Sequence, residues 1–204
     1  MQTAIARGES IMVYEPKNFD SLLGTDGFSD ALLKNHFTLY QGYVANTNKL
    51  ADAISAIAKD GKTTTPEYAE LKRRFGWEFN GMRLHELYFG NLVKGGKAPG
   101  SGSKLAKQFS SDFDSYENWE KDFRATGAMR GIGWVILYFD PFAKRLFNVW
   151  INEHDVGHLS GAIPLLVMDV FEHAFMLDYG LKRADYIGAF FKALDWGAVE
   201  KRLG

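Results

Sequence analysis

PLLVMDVFEHAF, residues 164–175, sets one carboxylate and one imidazole into an otherwise apolar run. Its first eight residues, PLLVMDVF, have the length and the unbroken hydrophobicity of a strand buried on both faces. Asp169 sits inside that run. A carboxylate there would be costly unless it were paired or bound to a cation. His173 follows four residues later, so the end of one buried strand offers two side chains that could hold a metal.

Only five histidines occur in the chain: His36, His85, His154, His158 and His173. Taken singly, each reads as an ordinary core or surface histidine. Their placement carries more. Ser29 caps a helix whose apolar periodicity runs to about Lys59, and Thr65-Pro66-Glu67 opens a second that runs to about Val93. His36 lies on the first and His85 on the second, so a helical hairpin can bring both rings to one place. With Asp169 and His173 this makes three imidazoles and one carboxylate, a ligand set suited to iron, manganese or zinc that leaves room for a solvent molecule.

GGKAPGSGS, residues 95–103, has the composition of a flexible connection and divides the chain into residues 1–98 and 99–204. Beyond it, Ser115 to about Thr126 reads as a helix ended by Gly127. WVILYFD (134–140) and RLFNVWI (145–151) read as an antiparallel hairpin turning at Asp140 and Pro141. From Asp178 onward the pattern is helical, with Trp196–Leu203 as the last piece. The expected fold class is α+β: an N-terminal helical hairpin domain, then a C-terminal α/β domain with a small antiparallel sheet.

Composition excludes several chemistries. With 204 residues, 46% hydrophobic and 24% charged, the chain has the make-up of a globular protein. It has no cysteine, which removes disulfides, thiolate nucleophiles, iron-sulfur clusters and cysteine-held zinc. A net charge of -1 gives no reason to expect a nucleic-acid partner. Apolar runs such as Trp134–Phe139 and Ile163–Met168 fall well short of the roughly 20 residues that cross a bilayer, so no membrane association is expected. MQTAIARGESIMVYEP at the start lacks a secretory pattern, and the expected location is cytoplasmic.

Longer segments carry a resemblance. DVFEHAFMLDYGLKRADYIGAFFKALDWGAVEKRL (169–203) is similar to the C-terminal signature of iron/manganese superoxide dismutases, DVWEHAYY followed by a helix and an NWxxVxxR ending. GIGWVILYFD (131–140) resembles that family's GSGWxWL strand, and NGMRLHELYF (80–89) its helix with the second ligand histidine. HFTLYQGYVANTNKL (36–50) resembles its first helix. Essentially the whole chain is covered. The resemblance implies disproportionation of superoxide to dioxygen and hydrogen peroxide at one iron or manganese ion per subunit. Its ligands would be His36, His85, Asp169 and His173, with solvent as a fifth. Tyr43 and His154 would form the catalytic hydrogen-bond network, with the imidazole bonding to the solvent ligand, and Trp134 and Phe89 would line the pocket. The implied assembly is a homodimer or homotetramer with Glu172 at the dimer interface.

This chain departs from the family pattern in places. The ligand histidine usually precedes the tyrosine by eight residues, whereas His36 precedes Tyr43 by seven, and an ungapped alignment puts Asn35 in the ligand place. At about 100° per residue, seven steps return to nearly the same helix face and eight overshoot it unless the helix bulges. Loss of one bulged residue therefore predicts a regular helix with His36 and Tyr43 facing the metal and Asn35 facing away. Gly81 stands where iron-type relatives carry glutamine, as in manganese-type ones. His154 occupies the hairpin position from which the latter supply it, resembling enzymes of iron or mixed preference. Iron with manganese tolerated is the resulting expectation. Phe171 replaces the tryptophan of DVWEH, Met176 replaces an interface tyrosine, and Leu39 or Tyr40 replaces a gateway histidine. Arg183 could draw an anion toward the mouth.

Other readings stay open at this point: a metal-binding relative with a degenerate site, or a zinc hydrolase using the same ligands with Glu172 or Glu86 as general base. A non-haem iron oxygenase fits less well, since its triad has two histidines.

Overall fold

In the computed structural model, residues 14–97, 99–100 and 102–204 are described. The residues up to Val13, most of the segment read as lacking a secretory pattern, lie outside them, as do Ala98 and Ser101 of the connecting stretch. Ser29 and Thr65 start the two long helices through their side chains. Ser29 Oγ accepts from Leu32 N at 3.0 Å to open α1 (Asp30–Lys59), and Thr65 Oγ1 accepts from Tyr68 N at 3.3 Å to open α2 (Pro66–Phe89). Leu32, Leu33, His36, Phe37, Tyr40 and Val44 form the buried stripe of α1.

The second helix ends four residues before the expected Val93. There Val93 N donates to Ala193 O at 2.8 Å, and Leu92 bridges Leu194. Pairing with a distant segment thus overrides the helical periodicity of the last turn. Ser103 then caps α3 (Lys104–Phe113), an element the sequence reading did not assign, and Ser115 caps α4 (Tyr116–Gly127).

Three strands follow: β1 (Gly133–Asp140), β2 (Arg145–Asn152) and β3 (Ile163–Asp169), antiparallel in the order β2-β1-β3. Trp134 on the central strand lies opposite Ile151 on one side and Asp169 on the other. The strand expected to run to Phe171 stops at Asp169 because its own side chain turns the chain: Oδ1 accepts from Phe171 N at 2.8 Å. A 3-10 turn, Glu172–Ala174, comes next. The helical pattern expected from Asp178 is interrupted at Gly180, giving α5 (Met176–Tyr179), α6 (Arg183–Lys192) and α7 (Trp196–Leu203).

The two halves share one hydrophobic core. A polar staple joins them. Arg202 on α7 donates to Asn91 Oδ1, to Leu165 O at 2.6 Å and to Leu87 O at 3.3 Å, while Asn91 Nδ2 donates to Val167 O at 2.6 Å. The end of α2, strand β3 and the last helix are held by this one cluster. No helix among the described residues is long and apolar enough to cross a membrane.

Candidate metal centre

Four elements deliver one side chain each to a single point: His36 from α1, His85 from α2, Asp169 from the end of β3 and His173 from the 3-10 turn. Their ligand atoms all lie within 4.8 Å of one another. Nε2 of His36 and of His173 stand 3.2 Å from Asp169 Oδ2, and Nε2 of His85 stands 3.7 Å from it. Atoms about 2.1 Å from a common small ion are separated by roughly 3–4 Å, so the three distances to Asp169 Oδ2 suit one metal.

Proton placement makes a sharper test of fit. His85 Nδ1 lies 2.5 Å from Gly81 O, and a carbonyl can only accept, so the ring proton is on Nδ1 and Nε2 is a bare lone pair. That Nε2 is the one buried side-chain nitrogen or oxygen among the described residues without a partner. An orphaned buried acceptor costs about 1–3 kcal/mol, which a cation at this point removes. Burial also lowers the pKa of His36 and drives that of His85 well below the ordinary imidazole value, keeping both in the neutral form that can ligate. For Asp169, burial works against the charge, but His173 and His36 outweigh it and hold the carboxyl far below its usual range. Behind it, Tyr186 Oη donates to the Asp169 carbonyl at 2.6 Å.

Helix α1 is continuous α-helix through His36 and Tyr43, with His36 buried and Asn35 exposed. Tyr43 lies stacked on the His85 ring, centroids 5.2 Å apart. Gly81 permits this: a Cβ there would come within 2.5 Å of Tyr43 Cδ1. Gly81→Ala is therefore expected to push Tyr43 off His85 and to lower unfolding free energy by about 1–3 kcal/mol, read by urea denaturation. An unchanged midpoint would show that the ring has room to yield.

His154 sits on the turn after β2 and is fully buried. Trp134 Nε1 donates to its Nδ1 at 3.0 Å, so the proton is on Nε2, which lies 2.8 Å from Tyr43 Oη and donates to it. Both ring nitrogens are thereby engaged by protein, and the expected direct bond from this imidazole to a solvent ligand has no free donor. The Tyr43 hydroxyl proton is the one left to face another acceptor. Phe171 stacks on His154 at 4.8 Å and on His173 at 5.2 Å, a phenyl ring at the position where the family pattern has an indole.

Burial lowers the His154 pKa to about 4, against about 6.5 in an unfolded chain. Between those values the unfolded state binds the extra proton, so this contribution is complete above pH 6.5 and is lost as pH falls toward 4. The expected loss between pH 7 and 4.5 is about 2 kcal/mol. His154→Gln should reduce the measured pH dependence of unfolding by that amount, and an identical dependence in both proteins would refute the assignment.

Trp77 was not singled out from sequence. Its ring packs 4.5 Å from His154, its Nε1 donates to Glu153 Oε2 at 3.1 Å, and the Arg74 guanidinium lies 3.8 Å above it. A signal existed, since Trp77, Gly81 and His85 recur every four residues on one face of α2. Arg183, expected to draw anions, instead donates to Met129 O at 2.6 Å and Gly131 O at 2.8 Å. Tyr40 is buried with its hydroxyl donating to Glu86 Oε1 at 3.1 Å, and Leu39 is exposed. Phe89 and Trp134 both pack against His85. Glu172 is exposed, beside Met129, Ile132 and Met176.

A helical hairpin and a small antiparallel sheet closing on three histidines and one aspartate define the architecture of a mononuclear metalloprotein. The family model for iron/manganese superoxide dismutases, C-terminal domain, matches residues 101–202. An iron superoxide dismutase of Aquifex pyrophilus is 39% identical over 194 residues, spanning 93% of this chain and 90% of that protein. A manganese superoxide dismutase of Haloferax volcanii is 35% identical over 79% of each chain, and an iron one of Saccharolobus solfataricus is 32% identical over 80% of this chain and 79% of its own. The chain belongs to the iron/manganese superoxide dismutase family.

Proposed function

We propose that this protein is a superoxide dismutase, with His36, His85, Asp169 and His173 as ligands of one iron or manganese ion per subunit. The observation that carries the reading is the partnerless His85 Nε2, aimed with three other donor atoms at one buried point. A redox metal there supplies the change of oxidation state by which one superoxide gives up an electron and a second accepts one, taking two protons to become hydrogen peroxide. The chain's own contribution is to hold the ligands in place, to bury the site and to place protons. Trp134 fixes the His154 tautomer, His154 donates to Tyr43, and the Tyr43 hydroxyl proton points to the remaining acceptor. Burial raises the Tyr43 pKa, so the phenol keeps its proton at neutral pH.

Iron with manganese tolerated is the preferred metal in this proposal, in keeping with relatives named for each. A homodimer or homotetramer built through the exposed face around Glu172, a cytoplasmic location and a division near residue 98 belong to the same proposal. The end of α2 at Phe89 and the start of α3 at Lys104 support that division. A zinc hydrolase with Glu86 as its base is disfavoured, because that role needs a free carboxylate. Glu86 is instead bound by Lys17 at 3.0 Å, Arg83 at 2.6 Å and Tyr40.

The test is metal analysis together with a superoxide-consumption assay on protein loaded separately with iron, manganese and zinc. About one equivalent of iron or manganese with rapid consumption, and an inactive zinc form, are expected. Fully loaded iron and manganese forms that leave superoxide untouched would overturn the proposal and favour a degenerate relative.

A further inference from the structure

His158 is the one histidine with no part in the centre described above. It stands on the loop that carries His154, four residues further on, and is only half-buried. Nε2 of His158 lies 2.9 Å from the His154 carbonyl, and Nδ1 lies 2.7 Å from Tyr138 Oη on β1. A carbonyl only accepts, so Nε2 carries the proton and donates to it. Nδ1 then accepts from the Tyr138 hydroxyl, leaving one consistent arrangement of donors. Asn80 Nδ2 of α2 stands 3.4 Å from the same Nε2 but, being a donor itself, makes no hydrogen bond to it in this tautomer.

The loop needs such a fastening. Asn152 and Val156 pair across it, with N–O distances of 2.8 and 3.3 Å, leaving three residues to make the turn. Glu153 adopts φ 50°, a left-handed conformation that costs a non-glycine residue about 1–2 kcal/mol and persists only where neighbours over-determine it. Gly157 has φ 113°, and a Cβ there would stand 2.8 Å from Trp150 O, so the chain passes tightly under the sheet before reaching His158. Trp77 fixes one side of the turn through the Glu153 carboxylate, and His158 fixes the other through the backbone of His154 itself.

We propose that His158 is a positioning residue that sets where the His154 ring stands between Trp134 and Tyr43. It acts through the His154 carbonyl and takes its own bearing from Tyr138. The inference rests on His154 and Tyr43 being the hydrogen-bonding pair beside the metal. Without the fastening, the strained turn relaxes and the His154 ring leaves the line joining the Trp134 indole to the Tyr43 hydroxyl.

The test uses the full chain with His158→Ala, His158→Gln and Tyr138→Phe, measuring metal content, kcat and KM in the manganese or iron form. The resonance and exchange rate of the Trp134 indole N–H are followed in the diamagnetic zinc-loaded form. His158→Ala should keep its metal while kcat falls roughly tenfold to a hundredfold, the loss that a displacement of about 1 Å produces. Its Trp134 indole resonance should shift and exchange faster. His158→Gln, whose amide can still donate to the carbonyl and accept from Tyr138, should recover most of kcat, and Tyr138→Phe should show a smaller loss than His158→Ala. Wild-type kcat together with an unmoved indole resonance in His158→Ala overturns the proposal. Should that variant not fold, the same result in Tyr138→Phe overturns it. A loaded wild-type protein that does not consume superoxide removes the dismutase reading and this inference with it. An active wild type with an indifferent His158→Ala removes this inference alone.

Discussion

Asp169→Ala and His85→Ala are each expected to reduce bound iron or manganese to below about a tenth of an equivalent and to abolish superoxide consumption, because each removes one of the four proposed protein ligands. The two differ in what remains. Without the His85 ring, the Asp169 carboxylate still faces two imidazoles at 3.2 Å. Without Asp169, three imidazoles converge with no carboxylate among them, and the amide of Phe171 loses its acceptor. The aspartate variant should therefore also lose folding stability, by about 1–3 kcal/mol. His36→Ala should match His85→Ala in metal loss, while Asn35→Ala, at an exposed position, should leave metal and rate near wild type. Metal analysis of the purified variants decides it. Normal loading in His36→Ala, or its loss in Asn35→Ala, would reassign the first helix.

Arg202→Ala is expected to cost about 2–4 kcal/mol of unfolding free energy although its hydrogen bonds reach none of the four proposed ligands. The guanidinium serves Asn91 Oδ1 and the carbonyls of Leu165 and Leu87, and its removal leaves those acceptors facing an enclosed, largely apolar space. Asn91→Ala should be comparably damaging, since it strips Val167 O of its donor. The double variant should lose less than the sum, because both changes dismantle one network. Urea unfolding of the four proteins gives the coupling directly. Losses below about 0.5 kcal/mol would place the staple among ordinary surface contacts.

Much of this was legible in the sequence, for reasons that particular residues make clear. Ser29, Thr65 and Ser115 each cap the helix they announced, because an N-cap is a local bond among residues three apart. The hairpin of β1 and β2 was readable from two β-branched and aromatic runs around a turn. What failed was governed by distant partners. Val93 leaves the helix to pair with Ala193, Arg183 turns onto Met129 and Gly131, and α3 follows a glycine-rich stretch whose composition hid its onset. At the centre, the residue types and the seven-residue step from His36 to Tyr43 could be read. The tautomer of His154 could not, since it depends on an indole 20 positions away.

The separation of the donors along the chain bears on how the protein matures. His36 and Asp169 are 133 positions apart, and they meet only after the hairpin has docked against the finished sheet. A state in which the two halves have not met lacks part of the proposed ligand set, so complete binding of an ion at this point requires the closing of that long chain loop.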